Sequence, residues 1–362
     1  MRLADSELTS LTLPLDLVGG AWRLSDRWAP TARDSSGGRF RDRELPAAAL
    51  PDLAKLVAAL PPQSDLRREY AVGHDGQRYR ITLFENIDGH ALYLRRSRQP
   101  ALRLDQIGVP PVWQTWLAGL AQPSPDGAAS TGLVLVLGDM GSGKTTLAGA
   151  MLMSWVGMSG LAAQTLEAPV ENVLDLSAGH EARPSWGTFG GKVAMADDAR
   201  RKATSEARIL QCDLSDEDEF PGQIQRVMRS GVRHVLIGEY RTPATANATL
   251  TCGANGPLVL ATGHGLDLTA GLSKVARLAG EHRGHAALDL LAISLRAAVM
   301  TRLAPQGAGE SLAIEIVEAI ECSLTPDCPI RSTIRSGRLE LLPAMVQKWT
   351  SSLRNGTKLM VR

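Results

Sequence analysis

The stretch VLVLGDMGSGKTTLAGAML, residues 134–152, decides the fold class. An apolar run breaks at Gly138 into a glycine-rich turn, and apolar periodicity resumes after Lys144. The turn fits the pattern G-x-x-x-x-G-K-[ST], in which backbone N–H groups converge on the phosphates of a nucleotide. Because a buried-type strand precedes the pattern and a helix follows it, the context that a phosphate-binding loop requires is present. The stretch therefore predicts a nucleotide site.

Within this loop, two side chains have direct chemical roles. Lys144 supplies a point charge to the β and γ phosphate oxygens, and the Thr145 hydroxyl completes the shell of a bound Mg²⁺. ATP and Mg²⁺ are therefore the expected ligands, with the positive end of the following helix facing the phosphates. The predicted nucleotide-binding residues are Gly138, Asp139, Met140, Gly141, Ser142, Gly143, Lys144, Thr145 and Thr146.

The composition is that of a folded protein with two domains of ordinary size. The chain has 362 residues, of which 44% are apolar and 21% are charged. Its 39 basic and 38 acidic residues give a net charge of +1, so we expect no direct nucleic-acid partner. The four cysteines are widely scattered, which favours reduced thiols in or near the core over a metal site or a disulfide framework.

Local patterns divide the chain into four regions. Residues 1–45 are expected to form a leader of uncertain order, and residues 46–121 an N-terminal α+β domain. The latter combines a helix within 45–60 with a hairpin over 78–97, whose turn contains Asp-Gly. Residues 122–130, QPSPDGAAS, are the predicted linker, and residues 131–362 the second domain. No signal peptide or membrane span is expected, so we predict a cytoplasmic protein.

The second domain alternates buried-type strands with helical patterns, which is typical of an α/β fold with a mostly parallel sheet. Strands are expected at 132–138, 162–169, 233–239, 257–264 and 312–321, and a helix at about 287–303. Residues 175–206 are rich in glycine and charge, and we expect an extended loop or a functional insertion there.

Three strands of this domain end in side chains suited to hydrolysis. Glu239 follows one strand and is a candidate Mg²⁺ ligand and catalytic carboxylate, since ligands bind outside the carboxyl ends of strands in open α/β sheets. Glu167 ends a second strand, and His264 ends a third, where it could sense the γ phosphate. Glu171 lies four residues beyond Glu167 and is interpreted as a solvated helix or turn residue.

Four short segments resemble a known family in their order and spacing. They are GDMGSGKTT at 138–146, TLEAPVE at 165–171, VLIGEYR at 235–241 and LVLATGHG at 258–265. They look like the Walker A, Asp box, Walker B and His box of the type II and type IV secretion ATPases. The resemblance is greatest to the PilT-like pilus retraction motors and their relatives in conjugation and type IVB secretion. It covers about residues 50–350, including IGVPPVW at 107–113.

The resemblance implies a RecA-like P-loop ATPase domain joined to a smaller PAS-like α+β domain. It assigns Lys144 and Thr145 to phosphate and Mg²⁺, Glu239 to Walker B, Glu167 to the attacking water and His264 to the γ-phosphate region. Charge delivered from the N-terminal domain stabilises transition-state charge in such enzymes. The candidate donors of that charge are Arg78, Arg80, Arg95 and Arg96.

By the same resemblance, the protein assembles as a homohexamer and hydrolyses ATP. The hexamer would perform mechanical work on an inner-membrane platform or a secretion channel, peripherally associated with the inner membrane. A pilus, a conjugation system and a type IVB secretion system all remain open as the driven machine. The alternative is a structural ring subunit that binds nucleotide with little or no hydrolysis, and a small-molecule P-loop kinase is a third possibility.

Several positions depart from the family pattern. Ala168 replaces the aspartate of the Asp box, a variant that resembles the conjugative and type IVB branch. Thr242 follows Arg241 where the family has aspartate, Gly263 replaces the leucine before the histidine, and Asn255 stands at an acidic position. These changes leave the phosphate and metal groups intact and bear on rate and partner contacts, and they keep the structural-subunit alternative open.

Overall fold

A computed structural model describes most of the chain as two compact units. Unit 1 comprises 1–99 and 168–173, and unit 2 comprises 100–167 and 174–362. The described residues are 8–19, 21–26, 29–34, 42–45, 47–60, 69–74, 77–87, 89–97, 101–123, 130–174, 208–283, 286–305, 312–323 and 327–355.

Unit 1 is an antiparallel sheet with one helix. The strands follow the order β4-β3-β1-β7-β6-β5, and β2 pairs with β1. The helix, α1, spans Leu50–Ala58 and follows a 3₁₀ turn at Ala47–Ala49. The strands are β1 Leu8–Val18, β2 Ala21–Leu24, β3 Thr31–Asp34, β4 Asp42–Glu44, β5 Glu69–His74, β6 Gln77–Asn86 and β7 Gly89–Arg96.

The core of unit 1 follows from strand alternation and helix periodicity. Leu11, Leu13 and Leu15 alternate along β1 and are at most 3% exposed, so β1 turns one face to the core. Leu53 and Leu56, on one face of α1, are fully buried in the same cluster. The expected helix and the β6–β7 hairpin are both confirmed.

The N-terminal boundary differs from the expected one. The region expected as a leader, 1–45, contributes β1 to β4, and β1 lies inside the sheet between β3 and β7. β1 contains Pro14, which is unfavourable in a strand, and on one side it pairs with β7, whose residues lie about 80 positions away in the chain. Local sequence therefore understates this strand. The expected α+β domain therefore begins well before residue 46.

Unit 2 is built on a seven-stranded sheet of order β10-β9-β11-β12-β8-β13-β14. Neighbouring strands are parallel from β10 to β13, and β14 runs antiparallel to β13. The strands are β8 Gly132–Gly138, β9 Ala163–Glu167, β10 Ile209–Asp213, β11 His234–Ile237, β12 Leu258–Gly263, β13 Leu295–Pro305 and β14 Leu312–Glu321. The expected α/β class with a mostly parallel sheet is confirmed.

Eight helices are described in unit 2. Two 3₁₀ turns, Glu217–Glu219 and Leu339–Leu341, precede the fourth and the last helix of the described chain. None of the described helices combines the length and apolar character needed to cross a bilayer. The helices are α2 Pro111–Gly119, α3 Lys144–Ser159, α4 Phe220–Ser230, α5 Pro243–Ala254, α6 Leu268–Arg283, α7 Ala286–Ser294, α8 Pro329–Arg335 and α9 Leu342–Arg354.

The boundary between the units also lies earlier than expected. Residues 100–121 were expected in the N-terminal domain, yet Trp113 and Leu117 of α2 pack in the core of unit 2 with Trp155 of α3. Trp155 Nε1 donates a hydrogen bond to Leu117 O at 2.8 Å, which fixes α2 against α3. Of the expected linker, only 122, 123 and 130 are among the described residues.

One element of unit 2 corrects the sequence-based prediction. The stretch expected as a helix over about 287–303 is helical only to Ser294 and then becomes β13. The apolar run Ala297–Met300 pairs with β8 on one side and β14 on the other, and continuous apolar runs do not distinguish a buried strand from a buried helix. The expected insertion at 175–206 lies outside the described residues. The four cysteines are free thiols, and three of them, Cys252, Cys322 and Cys328, are buried.

Candidate functional site

The phosphate-binding loop joins the wholly buried β8 to α3. A Cβ atom on Gly138 (φ +155°) would collide with Ser142 Oγ and lie 2.7 Å from Thr301 O. Gly143 (φ +88°) caps α3 in the left-handed conformation, with the Ile314 side chain 2.7 Å from where a Cβ would sit. These positions require glycine because both the backbone angles and the close contacts exclude a side chain.

Lys144 is turned toward the loop that precedes it. Its side chain is only 8% exposed, and Nζ donates hydrogen bonds to Asp139 O at 2.6 Å and Gly138 O at 3.1 Å. Nζ also lies 3.5 Å from Nδ1 of His264. The ammonium group is therefore held over the loop, where the N-terminus of α3 adds its own positive potential.

Thr145 and Thr146 occupy the first turn of α3 and are half-buried. The hydroxyl of Ser142 in the loop lies 3.2 Å from Thr301 Oγ1, and Thr301 Oγ1 donates to Leu137 O at 3.2 Å. Thr301 thus connects the loop to β13. Sequence reasoning missed Thr301, because the surrounding stretch was interpreted as a helix.

Glu167 ends β9 and is almost completely buried, with 4% of its surface exposed. Its Oε1 accepts a hydrogen bond from Thr165 Oγ1 at 2.7 Å and a longer one from Gln211 Nε2 at 3.4 Å. A buried carboxylate requires such donors. Thr165 and Gln211 are therefore part of the site, and the i, i+2 spacing of Thr165 and Glu167 on one strand face is the signal that could have found Thr165.

Glu239 lies two residues beyond β11 and uses both carboxylate oxygens. Oε1 is 2.7 Å from Nε2 of His264, and Oε2 accepts a hydrogen bond from Arg241 Nε at 2.8 Å. A second nitrogen of Arg241 lies 3.4 Å from Glu217 Oε1. Glu239 is 17% exposed and His264 38%, so the pair faces partly into solvent. His264 therefore lies between the Glu239 carboxylate and the ammonium group of Lys144.

Strand order explains this convergence. β9, β11, β12 and β8 are consecutive parallel neighbours, so their carboxyl ends lie along one edge of the sheet. Beyond the regular ladders, the N–H of Gly238 donates to Leu166 O at 2.8 Å and the N–H of Tyr240 to Thr262 O at 3.4 Å. The sheet thus places Glu167 and Glu239 at neighbouring strand ends, and His264, at the end of the next strand, contacts Glu239 and Lys144.

The four candidate arginines lie in unit 1, on two adjacent strands. Arg78 and Arg80 are on β6, and Arg95 and Arg96 are on β7, with Arg80 opposite Arg95 in the pairing. Arg96 Nε donates to Gln77 Oε1 at 3.0 Å, and Arg95 is exposed.

Two of these arginines contact the segment 168–173, which directly follows Glu167 in the chain and belongs to unit 1. Arg78 Nε donates to Val170 O at 3.1 Å, and Arg80 forms an ion pair with Glu171. The interpretation of Glu171 as a solvated residue is wrong: it is 25% exposed and paired, because β6 presents a cation to it.

A cleft of about 390 Å³ opens beside the phosphate-binding loop. Met140 and Leu266, 88% and 85% exposed, stand at this cleft, so part of its wall is apolar. Its lining comprises Asp139, Met140, Gly141, Ser142, Leu266, Met300, Thr301, Arg302, Leu303 and Val317.

The residues present fit a nucleotide with its magnesium ion. The loop provides glycine-only backbone geometry at Gly138 and Gly143 and a cation at Lys144, which together suit a phosphate chain. Thr145 and Glu239 offer the oxygen ligands that Mg²⁺ prefers. When bound, the ion would neutralise charge on the phosphate oxygens.

No protein-family model matches the chain. A twitching motility protein of Neisseria gonorrhoeae is 24% identical over 277 residues, which cover 76% of this chain. The matched region spans 62% of the length of that relative.

Solved structures share the fold. The pilus retraction motor PilT with bound ADP superposes with a TM-score of 0.62 at 19% identity, covering 96% of this chain and 90% of PilT. The ATPase DotB of Legionella pneumophila superposes with a TM-score of 0.62 at 16% identity, covering 93% of this chain and 84% of DotB. DotB of Yersinia pseudotuberculosis superposes with a TM-score of 0.57 at 18% identity, covering 93% of this chain and 83% of that DotB. The N-terminal domain followed by a RecA-like domain is thus the architecture of this chain. The chain is thus similar in sequence to a twitching motility protein and in fold to PilT and DotB.

Proposed function

We propose that this chain is an ATPase: it binds ATP with Mg²⁺ at the loop 138–146 and hydrolyses the γ-phosphate bond. The observation that carries the proposal is the linked set Lys144, His264 and Glu239, in which His264 lies 3.5 Å from the lysine and 2.7 Å from the carboxylate. A loop that only binds a nucleotide does not need a histidine and carboxylates at the neighbouring strand ends.

Each residue has a role that follows from its position. Lys144 and the loop N–H groups hold the phosphates, with Asp139, Met140, Gly141, Ser142 and Thr146 completing the nucleotide-binding loop. Thr145 and Glu239 hold the magnesium ion. Glu167, buried and supported by Thr165, orients the attacking water, and His264 contacts the γ-phosphate region.

The arginines of unit 1 supply positive charge in this proposal. Of the four candidates, Arg78, Arg80 and Arg95 lie on one face of the adjacent strands β6 and β7, where they offer a cationic surface to a phosphate chain. Arg96 pairs with Tyr79 on the other face. An arginine brought to the γ phosphate stabilises the charge of the transition state and can raise the rate by several orders of magnitude. Domain closure that brings such a charge to the nucleotide is a general means of coupling hydrolysis to movement.

We further propose that the protein works as a homohexameric motor at the cytoplasmic face of the inner membrane. Its work would be done on an inner-membrane platform or a secretion channel of a pilus, conjugation or type IVB secretion system. The fold shared with the retraction motor PilT and with DotB supports this proposal. Ala168 in the Asp box favours the conjugative and type IVB branch.

Phosphate release by the purified protein tests the enzymatic proposal. We expect ATP hydrolysis that requires Mg²⁺, is abolished by Lys144→Ala and falls at least a hundredfold in Glu239→Gln, whereas Glu239→Gln still binds nucleotide. Lys348→Ala and Glu340→Gln, both at exposed positions of unit 2, are the matched controls and should hydrolyse like the parent. Nucleotide binding without turnover in the parent would instead establish the structural ring subunit.

Native mass spectrometry with and without nucleotide tests the assembly. A hexamer in the presence of ATP or ADP is the expected result. A monomer under both conditions would refute the ring, without affecting the assignment of the hydrolytic site.

A further inference from the structure

Tyr240 and Gly263 meet at the ends of two neighbouring strands. Tyr240 follows Glu239 beyond β11, and Gly263 ends β12 immediately before His264. A Cβ atom on Gly263 would collide with the hydroxyl and Cζ of Tyr240 and lie 2.9 Å from its Cε1. The phenol ring therefore occupies the space that any side chain at position 263 would need.

The ring is held there without help from its hydroxyl group. Tyr240 is 3% exposed, and among the described residues its hydroxyl has no hydrogen-bond partner. Burial, together with the negative charge of Glu239, raises the pKa of Tyr240, so the phenol stays neutral. A buried, unpaired hydroxyl is unfavourable, which indicates that the shape of the ring and not its polar group is what the site uses.

The backbone around the ring joins the same two strand ends. Tyr240 N–H donates to Thr262 O at 3.4 Å, and the hydroxyl of Thr262 donates to Gly238 O. The ring thus lies beside a junction whose next side chains are Glu239 on one strand and His264 on the other. Well-packed interiors transmit small changes in volume as displacements, so a larger residue at 263 would move these two side chains relative to each other.

We propose that Tyr240 is a positioning residue whose ring, seated on Gly263, sets the separation of the β11 and β12 ends and holds Glu239 against His264. Its effect on hydrolysis rests on the proposed function. The size match itself is a property of the fold and does not depend on turnover.

Four variants test the pair: Gly263→Ala, Gly263→Ala with Tyr240→Leu, Gly263→Ala with Tyr240→Phe, and the control Gly222→Ala. The alanine at 263 alone should lower kcat at least tenfold while the Kd for a fluorescent ADP changes less than threefold, because the phosphate-binding loop is untouched. Adding Tyr240→Leu, which removes the ring, should recover at least fivefold of the lost kcat. Adding Tyr240→Phe should recover nothing, because Cζ and Cε1 remain.

Gly222→Ala adds a methyl group in open space on α4, with no atom within 4 Å, and should match the parent in kcat and ADP affinity. The proposal is overturned if Gly263→Ala hydrolyses like the parent, if the leucine and phenylalanine double variants behave alike, or if ADP affinity falls together with kcat.

Thermal unfolding of the same variants gives a readout that needs no turnover. Gly263→Ala should unfold at a lower temperature than the parent, and Tyr240→Leu should restore at least half of that loss in the double variant. A double variant that unfolds at or below the midpoint of Gly263→Ala would refute the size match. If the parent protein has no ATPase activity but Tyr240→Leu still restores the unfolding temperature of Gly263→Ala, the proposed function is refuted. The size match of Tyr240 and Gly263 would then still stand.

Discussion

Oε1 of Glu239 lies 2.7 Å from Nε2 of His264, and Nδ1 of the same imidazole lies 3.5 Å from the ammonium group of Lys144. An ammonium group can only donate, so the imidazole nitrogen facing Lys144 is the acceptor. This arrangement fits the neutral tautomer with its proton on Nε2, donated to Glu239. The histidine therefore contacts the carboxylate through one nitrogen, while its other nitrogen faces Lys144.

Substitutions of His264 can distinguish the contributions of its two ring nitrogens. Glutamine places its amide nitrogen near the position of Nε2, and asparagine near that of Nδ1. We expect His264→Ala to lower kcat on the order of tenfold to a hundredfold with ADP affinity retained, and His264→Gln to keep more activity than His264→Asn. Steady-state phosphate release and ADP titration measure both effects. Equal loss in the glutamine and asparagine variants would contradict the role of the Nε2–Glu239 contact.

Gly138 and Gly141 test the geometry of the phosphate-binding loop. Both have positive φ, +155° and +75°, so alanine is strained at either position. Only at Gly138 would the new Cβ also press on the backbone, 2.7 Å from Thr301 O, whereas at Gly141 no atom lies within 4 Å. We expect Gly138→Ala to weaken ADP binding at least tenfold more than Gly141→Ala. Fluorescence titration with labelled ADP measures this, and similar affinities would show that the contact with Thr301 is unimportant.

The ion pair of Arg80 and Glu171 is expected to act on hydrolysis as one unit. It holds the segment 168–173, whose preceding residue is Glu167. Arg80→Ala and Glu171→Ala should each lower kcat by about three- to tenfold, and the double variant by no more than either, because both changes break one interaction. Arg23→Ala, at an exposed position of β2, is the control and should leave kcat unchanged. Additive losses would mean that Arg80 acts independently of Glu171, and a far larger loss in Arg80→Ala alone would mean that Arg80 supplies charge to the nucleotide itself.

His234 predicts an acid-dependent loss of stability. Its side chain is 3% exposed in unit 2, with Nε2 2.9 Å from Ser159 Oγ, and burial lowers its pKa from 6.5 to about 4. Between these values the unfolded chain binds the proton and the folded protein does not, so stability falls as the pH decreases from about 6.5 to about 4.

The size of this effect follows from the difference between the two pKa values and is about 3 kcal/mol. His234→Gln removes the titrating group, so the free energy of unfolding of the parent, minus that of the variant, should be constant above pH 6.5 and decline below it. Urea unfolding at a series of pH values measures the difference. A constant difference down to pH 4 would contradict the prediction.

Much of the candidate site follows from local sequence. The phosphate-binding loop is an eight-residue pattern in which the glycine positions have fixed backbone requirements. Glu167, Glu239 and His264 each stand at the end of an apolar run. Because parallel strands bring their carboxyl ends to one edge, these positions indicate proximity without any knowledge of strand order.

Residues that depend on the packing of distant segments could not be predicted in the same way. Thr301 reaches Ser142 across 159 positions of the chain, and its surroundings were interpreted as a helix because Ala297–Met300 is apolar without a clear period. Tyr240 and Gly263 are unremarkable in sequence, and only their close approach in the folded chain gives them a common role.

By itself, the sequence of this protein determined the class of the second domain, the phosphate-binding loop and the side chains at its strand ends, because these depend on short-range pattern and backbone conformation. Tertiary structure decided which side chains join them. It placed β1 to β4 within the first unit, assigned residues 168–173 to that unit and brought Glu239 into contact with His264. These features arise from pairings between segments that lie far apart in the chain. The interaction energies of such pairings cannot be inferred from a short stretch of sequence.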